Sequence, residues 1–290
     1  MTYFAYRAAI AIVPRLPEAF GYWLFARIGD LIWLCSGAIR DRVAGNLERA
    51  VGRNLQRPRL AALTRASLRN LCWNYYELFR SSIWDIDTLG ARLLVDGEEH
   101  LAAAHAQGRG VVLMFAHVGS LEAITQVTQL FPHYHFVGLI ERMKDVRLHE
   151  LLRHARSRRG LELFCVDEAL RAIRHLRRNA ILVVGADRDM TKTGVLVPFF
   201  GSPARLPVGA IGLALRFDVP VMLVHSWRET AASGHAVFRI RVHQPFTLAR
   251  TGDLDRDTRS GVALVARELE PVVRARPDQW LANYGFWPAA

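Results

Sequence analysis

The chain has 290 residues, half of them hydrophobic, and a formal net charge of +11. That length and core fraction exclude global disorder and suit one large α/β domain or two small ones. Of the 38 basic residues only Lys144 and Lys192 are lysines. Arginine binds phosphate and carboxylate through two parallel N–H groups, which suits an anionic headgroup, a coenzyme phosphate or a nucleic acid. A GC-rich codon bias accounts for the same ratio equally well. Cys35, Cys72 and Cys165 are odd in number, far apart and free of CxxC or CxxH spacing. This pattern points away from a zinc finger or disulfide framework and towards a reducing compartment.

In chain order, Tyr3–Val13 and Phe20–Ile39 are apolar but broken by Arg7, Arg27 and Asp30. Neither reaches the roughly 18–20 uncharged residues of a spanning helix. No small-residue cleavage pattern follows, so a secretory signal is not expected. The aromatics Tyr3, Phe4, Tyr6, Phe20, Tyr22, Trp23, Phe25 and Trp33, mixed with arginines, predict helices lying in a membrane surface. A buried helical hairpin would use the same composition. Residues 40–87 are read as helical, with a break at Arg57-Pro58 and periodic apolar faces at Val43/Leu47/Ala50 and Leu68/Cys72/Tyr76/Phe79.

From Leu93 onward short apolar runs alternate with helical stretches. Strands are expected at 93–95, 111–116, 135–140, 161–164, 181–185, 195–198, 219–226 and 237–242. Helices are expected near 98–107, 121–130, 146–159, 168–178, 208–216 and 258–276. Such alternation predicts an α/β fold, a layered, mostly parallel sheet flanked by helices. The expected division is a membrane-associating helical segment at 1–40 and a single domain at 41–290. Within that domain, 41–90 would be helical, 91–250 the α/β core, and 251–290 a C-terminal helix and tail.

His117 leaves the buried run Val111–Ala116, and Glu122 follows five positions later. Imidazole is suited to accept a proton near neutral pH, and a carboxylate can orient it. Five helical residues turn about 500°, so the two can meet only if His117 sits in a turn and Glu122 opens the next helix. Gly119-Ser120 supplies that turn and a capping hydroxyl. A satisfied strand-end histidine and a dipole-favoured first-turn glutamate remain the alternative.

Asp187-Arg188-Asp189 follows another buried run. Two acids could hold a divalent cation, but the arginine between them argues for mutual neutralisation. Phe199-Phe200, between Pro198 and Gly201, are not expected to share one core, so one is a candidate wall for an acyl chain, with Arg205 near a phosphate. Glu141-Arg142 closes a strand, and Arg153, Arg156, Arg158 and Arg159 crowd the next helix. No GxSxG elbow, Walker loop or GxGxxG fingerprint occurs. A lipid-ester or thioester hydrolase using Ser120, His117 and Glu122, and a non-catalytic basic protein binding lipid or nucleic acid, are the competing readings.

Taken together, these motifs resemble the lipid A biosynthesis acyltransferase / lysophospholipid acyltransferase-like superfamily. It includes the lauroyl acyltransferases and the phosphatidylinositol mannoside acyltransferases. The resemblance runs from the N-terminal aromatics to Trp287. It rests on His117 and Glu122 as a His-x4-Glu motif, on Glu141 with Arg156 fifteen positions later, on the segment 186–195 leading into Phe199-Phe200-Gly201, and on Trp280 with Trp287 seven residues on. Gly119-Ser120-Leu121 departs from the family's usual Gly-Asn-Trp. The segments at 186–195 and 141–144 look closer to the mannoside branch. The resemblance implies an acyltransferase that takes a fatty acyl group from acyl-CoA or acyl-carrier protein and needs neither metal nor other cofactor. His117 would be the general base and Glu122 its orienting acid. Glu141, Arg156, Asp187, Arg188, Phe199, Phe200 and Arg205 would meet substrate, with Arg156 stabilising the oxyanion. The acceptor would be a membrane glycolipid or lysophospholipid, met on the cytoplasmic face of the inner membrane, with no nucleic acid as partner.

Overall fold

The computed structural model describes residues 2–52, 55–157, 160–189, 191–232 and 234–287, the side chains at 154–157 excepted. Helices α1 (Thr2–Ile12), α2 (Glu18–Cys35), α3 (Gly37–Val51), α4 (Arg57–Arg80) and α5 (Ile86–Arg92) come first. There follow β1 (Leu93–Asp96), α6 (Glu98–His105), β2 (Val111–Phe115), α7 (Leu121–Gln126), β3 (Phe136–Ile140), α8 (Val146–Ser157) and β4 (Leu161–Cys165). The chain continues through α9 (Ala169–Leu176), β5 (Ile181–Gly185), β6 (Val195–Phe199), β7 (Ser202–Leu206) and α10 (Gly209–Phe217). It closes with β8 (Val221–Thr230), β9 (Ala236–Val242) and α11 (Leu254–Ala275).

Seven strands form one sheet in the order β1-β9-β8-β2-β5-β3-β4. The five from β8 to β4 run parallel, and β9 turns back against β8 with β1 alongside it. The expected α/β layered architecture is therefore present. β6 and β7 stand apart as a hairpin. It is the one expected strand at 195–198 that leaves the main sheet.

Both faces of the central strands are covered, so their sequences are continuous apolar runs and not alternating ones. Val112, Met114 and Leu182 face a first core with α3, α9, α10, α11 and the β6–β7 hairpin. Val111, Leu113 and Val183 face a second core with α5, α6 and α7. The chain leaves β2 for α7 on the second face and leaves β5 for α10 on the first. β2 and β5 are neighbours, so their carboxyl ends frame a crevice of the kind in which open α/β sheets bind ligands.

Of the N-terminal helices, α2 buries one side and exposes the other. α2 packs one side on α4, and Gly21 and Gly29 permit the contact: a Cβ would fall 2.2 Å from the Tyr76 ring at the first and 2.7 Å from the Arg69 Cα at the second. The opposite side exposes Phe20, Trp23, Leu31 and Leu34, spaced as one helical stripe. α1 buries none of its residues and exposes Phe4 and Ile12. Among the described residues, no helix is long and apolar enough to cross a membrane.

A buried ion pair ties α4 to the sheet. Arg228 on β8 meets Glu77 on α4 at 2.5 Å, and Tyr22 donates to the same Glu77 oxygen at 2.9 Å. Removing either charge would strand its partner in the interior, at a cost of about 3–5 kcal/mol.

Candidate active site

His117 and Asp187 lie two residues beyond the paired ends of β2 and β5. The parallel pairing of Phe115 with Gly185 brings the two bends that follow side by side. The imidazole Nδ1 is 2.5 Å from Asp187 Oδ1, and the His117 backbone N–H donates to the same carboxylate. Trp280 donates its indole N–H to Oδ2 at 3.2 Å. Gly185 leaves room for the ring, since a Cβ there would lie 3.0 Å from its Cε1. Phe115 and Tyr284 flank the imidazole with centroids at 5.0 and 6.3 Å.

Asp187 is fully enclosed. Burial pushes its carboxyl up, but the neighbouring imidazole and the bonds from His117 and Trp280 outweigh burial and hold it below the usual carboxylate range. It is therefore ionised at neutral pH. With Nδ1 held by a carboxylate, Nε2 is the nitrogen left to exchange a proton with a substrate.

Sequence spacing points to Glu122 as the orienting acid, and the structure gives the Nδ1 contact to Asp187 instead. Glu122 is in the first turn of α7, as expected, and is buried, where its carboxylate accepts from Thr125 at 3.1 Å and Gln126 at 3.4 Å. The reason is topological: the parallel β2–β5 pairing delivers residue 187 to the ring. The mutual neutralisation expected of Asp187-Arg188-Asp189 is also absent. Each of the three turns to a different partner. Asp187 turns to His117. Arg188 pairs with Glu141 at 3.0 Å and lies 3.9 Å over the Tyr284 ring. Asp189 accepts from the Thr191 and Gly194 backbones.

The loop carrying His117 is clamped from several sides. Ser120 caps α7, accepting from the Ala123 N–H at 3.1 Å, as its sequence position suggested. Asn74 of α4 donates to the Gly119 carbonyl at 2.8 Å and accepts from the Leu121 N–H at 2.9 Å. The Ser226 hydroxyl accepts from the Ser120 N–H and donates to its carbonyl. The C-terminal segment adds a short antiparallel pairing: Gly119 N–H donates to the Gln279 carbonyl, and Leu281 N–H to that of His117. Gly119 has φ +71°, and a Cβ there would fall 2.3 Å from the Ser226 carbonyl oxygen. Only glycine fits so close to β8. Asn74, Ser226 and Gln279 carry no sequence signal of this role, because each acts across more than a hundred residues or from another helix. The Ser120 hydroxyl is fully buried in its cap, which argues against the hydrolase reading.

Asp187, Arg188 and Arg205 line one cleft of about 240 Å³ with Asp189, Lys192 and Tyr284. Glu141 joins it through Arg188. Arg205 donates to the Gly194 carbonyl at 2.7 Å and is otherwise exposed. The side chain of Arg156 lies outside the described residues, as do Arg158 and Arg159. Phe199 and Phe200 overturn their expectation: both are buried in one core, with ring centroids 4.3 Å apart, against Trp280 and Trp287. Phe200 achieves this with φ +50° at the β6–β7 turn, which swings it back to the side of Phe199. They therefore back the Trp280 indole that holds Asp187. A separate apolar pocket lies on the second face, among Leu113, Ile124, Val127, Phe131, Val183 and Ile240.

Residues 1–282 match the bacterial lipid A biosynthesis acyltransferase family. The chain is 29% identical to a phosphatidylinositol mannoside acyltransferase of Mycobacterium tuberculosis (strain CDC 1551 / Oshkosh) over 231 residues, covering 77% of this chain and 70% of that one. It is 27% identical to a phosphatidylinositol mannoside acyltransferase of Mycolicibacterium smegmatis over 299 aligned positions, covering 100% and 88%.

Proposed function

Because the chain belongs to the bacterial lipid A biosynthesis acyltransferase family, we propose that it moves a fatty acyl group from an acyl thioester to a hydroxyl of a membrane glycolipid or lysophospholipid. The observation that carries the reading is the His117–Asp187 contact at the carboxyl edge of β2 and β5.

Neutral His117 accepts the acceptor hydroxyl proton on Nε2 as the oxygen attacks the thioester carbonyl. The new C–O bond gives a tetrahedral oxyanion. Its collapse breaks the C–S bond, and the imidazolium returns the proton to the departing thiolate. Asp187 fixes the ring tautomer and stabilises the imidazolium, an arrangement in which the carboxylate itself stays ionised. Glu122 supports α7 beside the site. The oxyanion needs donors at the rim, a role this reading gives to Arg156. Since a thioester is already activated, an acyl-enzyme is unnecessary.

The Arg188/Lys192/Arg205 cleft suits an anionic headgroup or the phosphates of a coenzyme. The names of the mycobacterial relatives favour a phosphatidylinositol mannoside-type acceptor over a lipid A-type one. The donor is acyl-CoA or acyl-carrier protein. The exposed stripe of α1 and α2 supports attachment to the cytoplasmic face of the inner membrane, because each such side chain gains up to about 1.5–3 kcal/mol on leaving water.

The test is incubation of the purified protein with labelled acyl-CoA or acyl-carrier protein against a panel of lipid extracts. Label is expected in a glycolipid or lysophospholipid product, and His117→Ala is expected to abolish it while the protein stays folded. Near-wild-type turnover by His117→Ala would sink the mechanism.

A further inference from the structure

His135, Glu162 and His175 meet at the opposite edge of the sheet from His117, at the amino ends of β3 and β4. His135 Nε2 lies 3.1 Å from Glu162 Oε2, and His175 Nε2 lies 3.9 Å from the same oxygen. The three potential ligand atoms all fall within 4.8 Å of one another. Tetrahedral zinc with ligands about 2.0–2.1 Å away sets its donor atoms about 3.4 Å apart. The cluster brackets that spacing before any ion is placed in it. An ion pair would need one imidazole, whereas here two ring nitrogens converge on a single carboxylate oxygen.

The donors come from three separately anchored pieces of chain. The His135 carbonyl accepts from the Ile181 N–H at 2.8 Å, fixing the entry to β3 against β5. Glu162 is held in the parallel β3–β4 ladder opposite Val137. It alternates with Leu161 and Leu163, which face the second core, so it points to the side that α9 covers. His175 is in the last turn of α9, its carbonyl accepts from the Arg178 and Ala180 N–H groups, and its ring packs on Phe164 at 5.4 Å. All three side chains retain solvent access, with His135 about half exposed.

We propose that His135, Glu162 and His175 bind one zinc-class divalent cation, with water in the remaining position, as a clip joining β3, edge strand β4 and α9. Two imidazoles and one carboxylate favour borderline ions such as Zn²⁺ over Mg²⁺, which prefers all-oxygen sites. The net charge of +11 works against loose cation binding, so occupancy has to come from ligation. The site stands independently of the acyl-transfer reading.

The experiment titrates ZnCl₂ into the full-length, chelator-treated protein, followed by calorimetry and thermal unfolding, with MgCl₂ as the control. One Zn²⁺ per chain is expected, with Kd at or below about 10 µM, a rise in Tm, and no response to Mg²⁺. The double variant His135→Ala/His175→Ala should lose the binding at least about tenfold and the Tm rise with it, and Glu162→Gln should weaken it while keeping the side-chain volume. Circular dichroism of each zinc-free variant separates loss of ligation from loss of fold. No saturable binding below about 100 µM, or binding undiminished in the folded double variant, overturns the proposal.

Discussion

Trp280 donates to the one Asp187 oxygen that the His117 ring does not use, so the two carboxylate oxygens are divided between an indole and an imidazole. The base of the site is thereby fixed by a residue 93 positions beyond Asp187 in sequence. The C-terminal segment is part of the proposed active site for that reason.

The two candidate acids give opposite expectations. Asp187→Asn should lower kcat by about 10²–10⁴-fold, because an amide permits the wrong imidazole tautomer and leaves the cation uncompensated. Glu122→Gln keeps the hydrogen bonds within α7 and should cost far less, within about tenfold. Steady-state kinetics on both variants decides which acid orients His117. The reverse ranking would return that role to Glu122.

Trp280→Phe retains most of the ring volume and removes the N–H. A hydrogen bond to a charged group is lost, so kcat is expected to fall about tenfold with little change in KM. Trp280→Ala should also destabilise the fold by about 3–5 kcal/mol, since the indole is fully buried against Phe199 and Phe286. Urea unfolding beside the kinetics separates the two effects.

Gly119→Ala combines a positive φ with a backbone clash against β8. A loss of about 2–4 kcal/mol in stability is expected, with transfer activity reduced beyond what unfolding explains, because the loop must move His117 to relieve the contact. Unchanged Tm and kcat would show that the strand and loop are not held so closely.

Replacing Trp23, Leu31 and Leu34 with Ser alters only exposed side chains, so stability should change by no more than about 0.5 kcal/mol each. Cosedimentation with anionic vesicles should weaken at least about tenfold, while turnover of a water-soluble acceptor analogue holds. Undiminished vesicle binding would remove this stripe as the attachment surface.

His225 on β8 is pushed down to about 3 by burial first, then by His243 and Arg241. Its ring stacks on Trp227, and its Nδ1 lies 3.0 Å from His243 Nε2. Its folded value lies below its unfolded value, so the unfolded chain binds the extra proton. The stability involved is complete above about pH 6.5 and is lost progressively as pH falls towards about 3. Thermal melts at pH 7.5 and pH 5 should differ by less in His225→Gln than in the parent, by roughly 2–5 °C. Equal differences would show that His225 is not the group titrating.

Much of the fold is legible locally. The apolar runs at 111–116, 135–140 and 181–185 are strands because both of their faces are covered, and Ser120 caps α7 because its hydroxyl sits three residues before the Ala123 N–H. β7 carries little strand signal because Ser202–Leu206 contains a proline and an arginine, and its pairing with β6 needs only the turn at Phe200-Gly201. An ordinary strand puts Phe199 and Phe200 on opposite sides, and one left-handed residue at Phe200 removes that constraint.

The sequence alone determined that an α/β sheet would carry His117 at a strand end and Asp187 at another, since strand and loop signals are short-range. It also limited the N-terminal helices to lengths and charges that do not span a bilayer. Which acid reaches the imidazole was decided only by the tertiary structure. Glu122 is close in sequence, but the spacing of a helix sets its direction. Asp187 is 70 residues away, yet the parallel pairing of β2 with β5 brings it to 2.5 Å. Parallel strands joined by long crossovers have no tight turn to set their register, so their pairing is settled only when the sheet assembles.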